Sequence, residues 1–255
     1  MNTTPPADSL VELAARKQLP RHQFTDHATL RWIEANRPAM PEAITPSLPS
    51  TSQQLVHCSA IPVFWMAESA LADSLHGLRH AMRTATLAAL LAKAHALSEE
   101  ETAPLLLAAA VHDCRRLHDK DDRGHGARAA TWLTSNADLV CSHFHIPAIP
   151  QHIDRAATAI RLHDVPYRDF APDDLGDYDR ARHLVDLLKA ADALDRYRLP
   201  NLSWWPNREF VRADAFDILR PIAFELVVAS EAAHLAGMDS VDAVLTALEQ
   251  RGLLT

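Results

Sequence analysis

The residues best suited to chemistry stand at the end of an apolar run over residues 105–113. Seven small or aliphatic residues, LLLAAAV, are followed directly by His112 and Asp113. Such a run is normally buried, and a buried imidazole and carboxylate are costly unless a metal ion or close polar partners satisfy them. The sequence therefore predicts a functional site at this pair, where Asp113 could bridge two ions if two are bound.

Other histidines and aspartates fall on or beside the apolar faces of predicted helices. His80 lies near the start of a helix face whose later residues are aliphatic. His163 lies on another helix face at a position where an aliphatic residue would be expected. Asp192 lies at the edge of a leucine-rich face, and His125 follows the pair between two glycines. A single histidine of this kind is more often a hydrogen-bonded core residue than a ligand. Together, without a cysteine cluster, imidazole and carboxylate favour a site for zinc, manganese, iron or a similar ion.

The elements that must position these side chains begin with an N-terminal extension. Apolar spacing predicts short helices within 9–19 and 25–36. Four prolines over 37–54 then predict an extended linker. We therefore divide the chain into an extension with a proline-rich linker, residues 1–60, and a main domain, residues 61–255.

The main domain is predicted to be helical throughout. A long helix is expected over 64–97, and Ser98 with Glu101 forms a capping box that begins the helix of the apolar run. An acidic loop is expected over 167–179. Further helices are expected over 125–133, 152–163, 180–197, 213–235 with an interruption at Pro221, and 241–251. Because no run of alternating β-branched residues occurs, the fold class is predicted to be all-α.

Composition limits the partners. A net charge of -8 with mixed signs argues against an extended nucleic-acid groove, but leaves room for a small anion held by local arginines. Three cysteines without a CxxC pair fit a reduced compartment. No signal peptide or apolar run long enough for a membrane span is seen, so we expect a cytoplasmic protein without membrane contact.

The order of these motifs resembles the HD superfamily of metal-dependent phosphohydrolases. HAMR at His80, the His112-Asp113 pair and Asp192 in KAADALD match that family's motifs over about residues 70–200. HGARAA at His125 and AIRLHD at His163 are similar to the extra histidines of dinuclear members, such as bacterial diadenosine tetraphosphate hydrolases. The resemblance implies an HD-type helical bundle in which one or two divalent ions are bound by His80, His112, Asp113, His125, His163 and Asp192.

The resemblance also implies roles around the ions. Expected metals are Fe or Mn, with Zn, Co, Ni or Mg as alternatives, and the expected substrate is a small phosphorylated compound or nucleotide. Bound ions would lower the pKa of a shared water and polarise phosphoryl oxygens. The residues expected to take part in catalysis are Asp113, His76 and Arg116. The residues expected to bind substrate are Arg83, Arg116, Arg128 and Arg196, with Arg198 as an alternative to Arg196.

The chain also departs from the family. Many members have lysine three residues after the motif's aspartate, where this chain has Arg116. The HHExxDGxGYP segment of cyclic-di-GMP phosphodiesterases is absent, which argues against that activity.

Several alternatives stay open from the residues alone. Arg116 could pair with Asp119 or Asp122 at the surface instead of binding phosphate. His118 and Asp119 form a second His-Asp pair, but their charged surroundings predict that both are solvated.

Neighbouring residues receive other predictions. His76 could support His80, act as a general acid, or lie on the helix surface. Trp204 and Trp205 are expected to anchor packing, and Cys114 is not expected to be a nucleophile. The N-terminal helices are expected to pack on the domain or to form a homodimer contact.

Two other functions use the same residues. Mixed-valent di-iron oxygenases of the HD superfamily also hold two irons with six His and Asp residues, so the motifs separate them poorly from hydrolases. A non-catalytic binding module with a structural metal site is the third alternative.

Overall fold

In the computed structural model, which describes residues 8–40 and 47–255, every regular element is a helix. The α-helices are α1 Leu10–Ala15, α2 His27–Ala35, α3 Ser50–Cys58, α4 Leu78–Ala94, α5 Glu99–Val111, α6 His125–Ser135, α7 Ala137–His143, α8 Pro150–Leu162, α9 Pro172–Leu194, α10 Phe216–Leu235 and α11 Ser240–Gln250. Short 3-10 helices span Val63–Trp65, Ser69–Leu71, Tyr167–Asp169, Asp195–Arg198, Leu202–Trp204 and Arg208–Phe210. The predicted all-α class is confirmed. Part of the predicted linker, residues 41–46, lies outside the described residues.

The apolar run forms the centre of the bundle. Its helix, α5, packs against α4, α8 and α9, and all residues from Leu105 to Val111 are buried. Helix α6 covers α8, while α10 and α11 pack on α4. From the extension, α3 packs on α4 and α5, and α2 packs on α10. None of the described helices has both the length and the apolar character needed to cross a bilayer.

Helix α4 begins much later than the sequence predicts. The expected helix over 64–97 is replaced up to Gly77 by two 3-10 turns and bends. A Cβ at Gly77 would lie 2.2 Å from the carbonyl oxygen of Ala72 and 2.3 Å from that of Leu71. The Leu78 N–H also donates to Ala72. This close backbone approach, which only glycine permits, ends the preceding segment and starts α4 at Leu78, two residues before His80.

Other boundaries also differ from the predictions. Helix α3 begins at Ser50, inside the predicted linker, and α9 begins at Pro172, inside the predicted acidic loop. Proline is tolerated there because the N–H it lacks has no partner in a first turn. Pro221 lies within α10 without dividing it. The predicted capping box of Ser98 and Glu101 is present at α5.

Candidate metal centre

Helix ends bring the predicted ligands to one end of the bundle. His112 and His163 are the C-cap residues of α5 and α8, and His125 is the first residue of α6. His80 lies in the first turn of α4, and Asp192 lies in the last turn of α9. Side chains from five helices therefore meet at one place, together with Asp113.

One group of donor atoms surrounds His80. Its Nε2 lies 3.0 Å from His112 Nε2 and 3.4 Å from Asp192 Oδ1. The donors of these three residues lie within 4.8 Å of one another. Ligand bonds of about 2.1 Å would separate neighbouring donors by about 3.0 to 3.4 Å. Two of the three pairs match this spacing, while His112 Nε2 and Asp192 Oδ1 are 4.0 Å apart. We call these three residues the first group.

A second group surrounds His125. Its Nε2 lies 3.0 Å from His163 Nε2 and 2.9 Å from Asp113 Oδ1. The other carboxylate oxygen of Asp113, Oδ2, lies 3.6 Å from His80 Nε2. We call His125, His163 and Asp113 the second group. Asp113 thus has one oxygen near each group, which is the arrangement that a bridging carboxylate requires.

All four histidines have Nδ1 bonded away from the centre. The Nδ1–H groups donate to the carbonyl oxygens of Ala109, Asp122 and Ile160 from His112, His125 and His163, at 2.7, 2.8 and 2.6 Å. His80 Nδ1 instead donates to Asp195 Oδ2 at 2.8 Å. These bonds fix the tautomer and leave each Nε2 with a free lone pair directed to its neighbours.

That tautomer favours a cation between the rings of the first pair, His80 and His112. Two bare nitrogen lone pairs at 3.0 Å repel each other, and Arg198 Nη2 at 3.4 Å from His80 Nε2 and Arg116 Nη1 at 3.2 Å from His125 Nε2 offset that repulsion in part. Burial lowers the pKa of His80 well below its usual value and also lowers the pKa of His112, which disfavours a proton there, whereas at His163 the bond to Asp113 outweighs burial and raises the pKa. The donor set fits a metal ion, and four imidazoles suit iron, manganese, zinc, cobalt or nickel better than the oxygen-seeking magnesium.

The carboxylates of the centre are held ionised. Burial alone would raise the pKa of Asp113 and of Asp192, but neighbouring cations and imidazoles outweigh it. Arg116 and His112 hold the pKa of Asp113 well below its usual value, and His80 and His112 do the same for Asp192. Both aspartates therefore present charged oxygens to a cation.

The sequence interpretation missed the role of Asp195, which holds His80. Asp195 is fully buried, and its Oδ1 accepts from Arg83 Nε at 2.6 Å. Arg83 Nη1 donates to Glu231 Oε1 at 2.8 Å, and Arg79 donates to the same carboxylate. In the sequence, Asp195 is an aspartate on an apolar helix face, three residues after Asp192. Its role could not be predicted, because the residues it bonds to lie on other helices.

Lys189 ties the second group to α9. Its ammonium donates to the carbonyl oxygens of Leu162, His163 and Val165 at 2.8, 2.8 and 2.6 Å. The Leu162 carbonyl, at the end of α8, also accepts from the Val165 N–H at 3.3 Å, and Lys189 adds a side-chain donor to this helix end. Burial lowers the pKa of Lys189 to about 8. The sequence interpretation also missed this residue.

His76 and Asp119 form a bonded pair beside the centre. His76 Nδ1 donates to Asp119 Oδ1 at 2.8 Å, and Asp119 also accepts from Ser74 Oγ and the Gln23 N–H. The prediction that Asp119 is solvated is wrong, because Gln23, far away in the sequence, covers it. Burial and the nearby Arg116 lower the pKa of His76 to about 4, so its ring is neutral near neutral pH.

The centre forms the base of a large cavity. The cavity has a volume of about 1450 Å³ and is lined by His125, His163 and Asp192, but not by His80 or His112. Eight lining residues are lysine or arginine and five are acidic, although the whole chain carries a net charge of -8. The cations include Arg116, Lys120, Lys189, Arg196, Arg198 and Arg212. This local excess of positive charge favours an anionic ligand.

Comparison with known proteins gives no relative. Neither the protein-family models, nor the curated proteins, nor the solved structures contain a match to the chain. The site must therefore be interpreted from its own chemistry.

Three of the five arginines that line this cavity, Arg116, Arg196 and Arg198, are residues that the sequence predicts to bind substrate. Arg116 Nη1 lies 3.2 Å from His125 Nε2 and 3.5 Å from Asp113 Oδ1, and Arg116 forms no ion pair with Asp119 or Asp122, contrary to that alternative. Arg198 Nη2 lies 3.4 Å from His80 Nε2, while its buried Nη1 has no hydrogen-bond partner. Arg196 donates from Nε to the carbonyl of Trp204. Arg116 and Arg198 thus place one guanidinium beside each group.

Two of the residues predicted to bind substrate do not line the cavity. Arg83 is buried, does not line the cavity, and has its guanidinium occupied by Asp195, Ser230 and Glu231. Arg128 also lies outside the cavity lining and pairs with Asp122 at 2.6 Å. Neither residue lines the cavity, because sequence proximity to a ligand does not fix which way a helical side chain points.

The remaining sequence candidates have structural surroundings. Trp205 is buried and packs edge-to-face with Trp32 and Tyr197, as a packing anchor would, while Trp204 lines the cavity. Burial strongly raises the pKa of the Cys114 thiol, which opposes formation of a nucleophilic thiolate.

Proposed function

We propose that this protein is a metal-dependent phosphohydrolase that acts on a small phosphorylated substrate, such as a nucleotide. One observation carries the proposal: two His/Asp donor groups that share Asp113 lie at the base of a cavity rich in lysine and arginine. The donor groups suit divalent transition metals, and the cavity suits an anion. Hydrolysis of a phosphate ester uses both properties.

The residues that would hold the ions are His80, His112 and Asp192 in the first group and His125, His163 and Asp113 in the second. When bound, such ions supply an acidified water and polarise phosphoryl oxygens. His125, His163 and Asp192 line the cavity, so a substrate in the cavity can reach both groups.

The chain's own side chains bind and orient the phosphate. Arg116 and Arg198 both line the cavity and offer planar guanidinium groups on the two sides of the centre, with Arg198 Nη1 lying 3.4 Å from Asp195 Oδ2. His76 lines the same cavity, with Nδ1 held by Asp119. Because Nδ1 carries the proton, Nε2 of His76 is left to accept a proton or hydrogen bond from the reacting groups.

The proposal is tested first by metal content and activity together. Protein purified without chelators is analysed for metals, then assayed against a panel of phosphomonoesters, phosphodiesters and nucleotides with manganese, iron or cobalt. We expect bound transition metal and phosphate release that chelation abolishes and metal restores. Absence of metal, or tightly bound iron with substrate-dependent oxygen uptake and no phosphate release, would contradict it.

A matched set of arginine variants tests the anion-binding role. Arg116→Met and Arg198→Met are expected to raise KM by about tenfold or more, since each removes a charge-assisted bond to phosphate. Arg128→Met removes a comparable side chain outside the cavity and should leave KM unchanged. Equal changes in KM in all three variants would show that the cavity arginines do not bind the substrate.

A further inference from the structure

A second cavity lies at the opposite ends of the two central ligand-bearing helices. It has a volume of about 890 Å³ and is enclosed by α3, the N-terminal halves of α5 and α8, and the segment after α7. Helices α5 and α8 run from this cavity to His112 and His163. We call it the apolar cavity, since its wall includes Leu55, Pro104, Leu107, Phe144, Ile149 and Ile153.

Its size and lining are those of a small-molecule site. Ligand pockets are typically about 300 to 1,000 Å³, with mostly apolar walls and a few polar groups that orient the ligand. Here the polar groups include the exposed Glu99 and Glu100 and three histidines; His152 Nε2 lies 3.3 Å from Glu100 Oε1, and the Thr51 hydroxyl donates to Glu99 Oε1. An amphipathic molecule fits this division, with its apolar body inside and its polar end at the rim.

Charge at the rim selects the polar end. Among the described residues, no lysine or arginine lines this cavity, whereas Glu99 and Glu100 contribute two negative charges. The N-terminal ends of α5 and α8 oppose them with roughly half a positive charge each. The two carboxylates outweigh the two helix ends, so the rim favours a cation.

The backbone adds an acceptor beside these carboxylates. Pro104 lies inside α5 and has no N–H, so the carbonyl of Glu100 loses the bond that the helix would otherwise give it. Both residues line the cavity. A ligand with several N–H donors can satisfy this carbonyl and the carboxylates at once.

We propose that the apolar cavity binds a small apolar molecule that carries a primary amine. The inference stands apart from the proposed hydrolase activity, because none of the residues that line this cavity belongs to the metal centre. The ammonium group lies at Glu99, Glu100 and the carbonyl of Glu100, and the apolar body fills the space between α3, α5 and α8.

Calorimetric titration with three matched probes tests the ligand class. Dodecylamine, dodecanol and dodecanoate share one apolar body and differ in the head group. At about pH 8, where imidazole is normally neutral, we expect one equivalent of dodecylamine to bind, and dodecanoate to bind about tenfold more weakly or not at all. Dodecanoate binding as tightly as the amine, or no binding by any probe, overturns the proposal.

Matched variants test whether the amine binds in the apolar cavity. Ala103→Trp fills the cavity and should abolish amine binding, whereas Ala232→Trp, at an exposed alanine of α10, should not. The double variant Glu99→Gln, Glu100→Gln keeps the packing and should weaken the amine about tenfold without weakening dodecanol, while Glu249→Gln should change neither. Thermal melting of each variant separates lost binding from lost folding. If dodecylamine still binds both to Ala103→Trp and to the double glutamine variant, the binding site lies elsewhere and the proposal is overturned.

Discussion

The two donor groups of the metal centre use the same residue types but are supported in different ways. In the first group, His80 is held by Asp195, which belongs to a buried chain of charges through Arg83 and Glu231. In the second group, both His125 and His163 are held by backbone carbonyls, as is His112 of the first group, and neither has a buried carboxylate like Asp195 behind it. Only the second group has both of its histidines in the wall of the positively charged cavity.

This difference separates two tasks within one centre. Buried charge pairs hold their geometry strongly, because breaking one leaves an uncompensated charge in a low dielectric. Helix-end carbonyls hold a ring without adding charge, and they leave the cavity side of the ring accessible. We therefore expect the first group to bind its ion more tightly and the second to exchange its ion and meet the substrate. The predictions below test that contrast.

Asp113 is the residue that the two groups share, so its loss should give the largest effect. Asp113→Ala removes a donor from each group, and we expect loss of bound metal and a fall in turnover of about a thousandfold, as removal of several kcal/mol of metal-assisted stabilisation implies. Metal analysis and phosphate release measure the two losses. Glu225→Gln, which removes a partly buried carboxylate paired with Arg37 and Arg251 outside the centre, is the control. A variant that keeps a full complement of both ions would show that Asp113 does not bridge them.

Asp195 and Asp164 give a direct comparison of the two supports. Asp195→Asn breaks a fully buried ion pair with Arg83 and should lower the free energy of unfolding by about 3 to 5 kcal/mol. Asp164 lies 3.3 Å from His125 Nδ1 with a partly exposed side chain, so Asp164→Asn should cost less than about 1 kcal/mol. Urea unfolding of the metal-free proteins measures both values. Similar costs for the two variants would remove the contrast between the groups.

The residues of both donor groups could be found from the sequence more readily than the residues that hold them in place. His112 and Asp113 could be found because they end an apolar run, and the capping box at Ser98 fixed the start of that helix. His80 and Asp192 could be found from the faces of single helices. These signals are local, so helical periodicity was enough to predict them.

The supports depend on contacts between distant segments. Asp119 is buried by Gln23, which lies 96 positions earlier, and Arg83 is turned from the cavity by Asp195 and Glu231. The late start of α4 comes from the carbonyl of Ala72 touching Gly77. None of these contacts leaves a periodic pattern, because each depends on how separate elements pack.

Metal retention in two histidine variants tests which group binds more tightly. His163→Ala should keep one tightly bound ion in the first group, whereas His80→Ala should lose the tight class and keep only the weaker one. The affinity of the tight class should fall by about 10- to 100-fold or more in His80→Ala, as outer supports alone contribute that much. Chelation followed by calorimetric titration with manganese or zinc measures both classes. Loss of both ions in His163→Ala would show that the groups load as one unit.

The pH dependence of stability tests the charged support of the first group and should be the smallest effect. Burial alone would raise the pKa of Glu231, but Arg79 and Arg83 outweigh it and lower the pKa to about 2, from an ordinary value of 4.5. The folded protein therefore binds this proton more weakly than the unfolded chain. The contribution of Glu231 is fully present above pH 4.5 and is lost as the pH falls towards about 2.

In metal-free protein, wild type should exceed Glu231→Gln in unfolding free energy near neutral pH. Below pH 4.5 the difference should shrink by at most about 1.4 kcal/mol per pH unit. Glu225→Gln removes a carboxylate outside this buried network and is measured in the same urea series as the control. A constant difference between wild type and Glu231→Gln across this range would mean that the carboxylate is not held ionised by the two arginines, and the first group would lose the electrostatic support that distinguishes it.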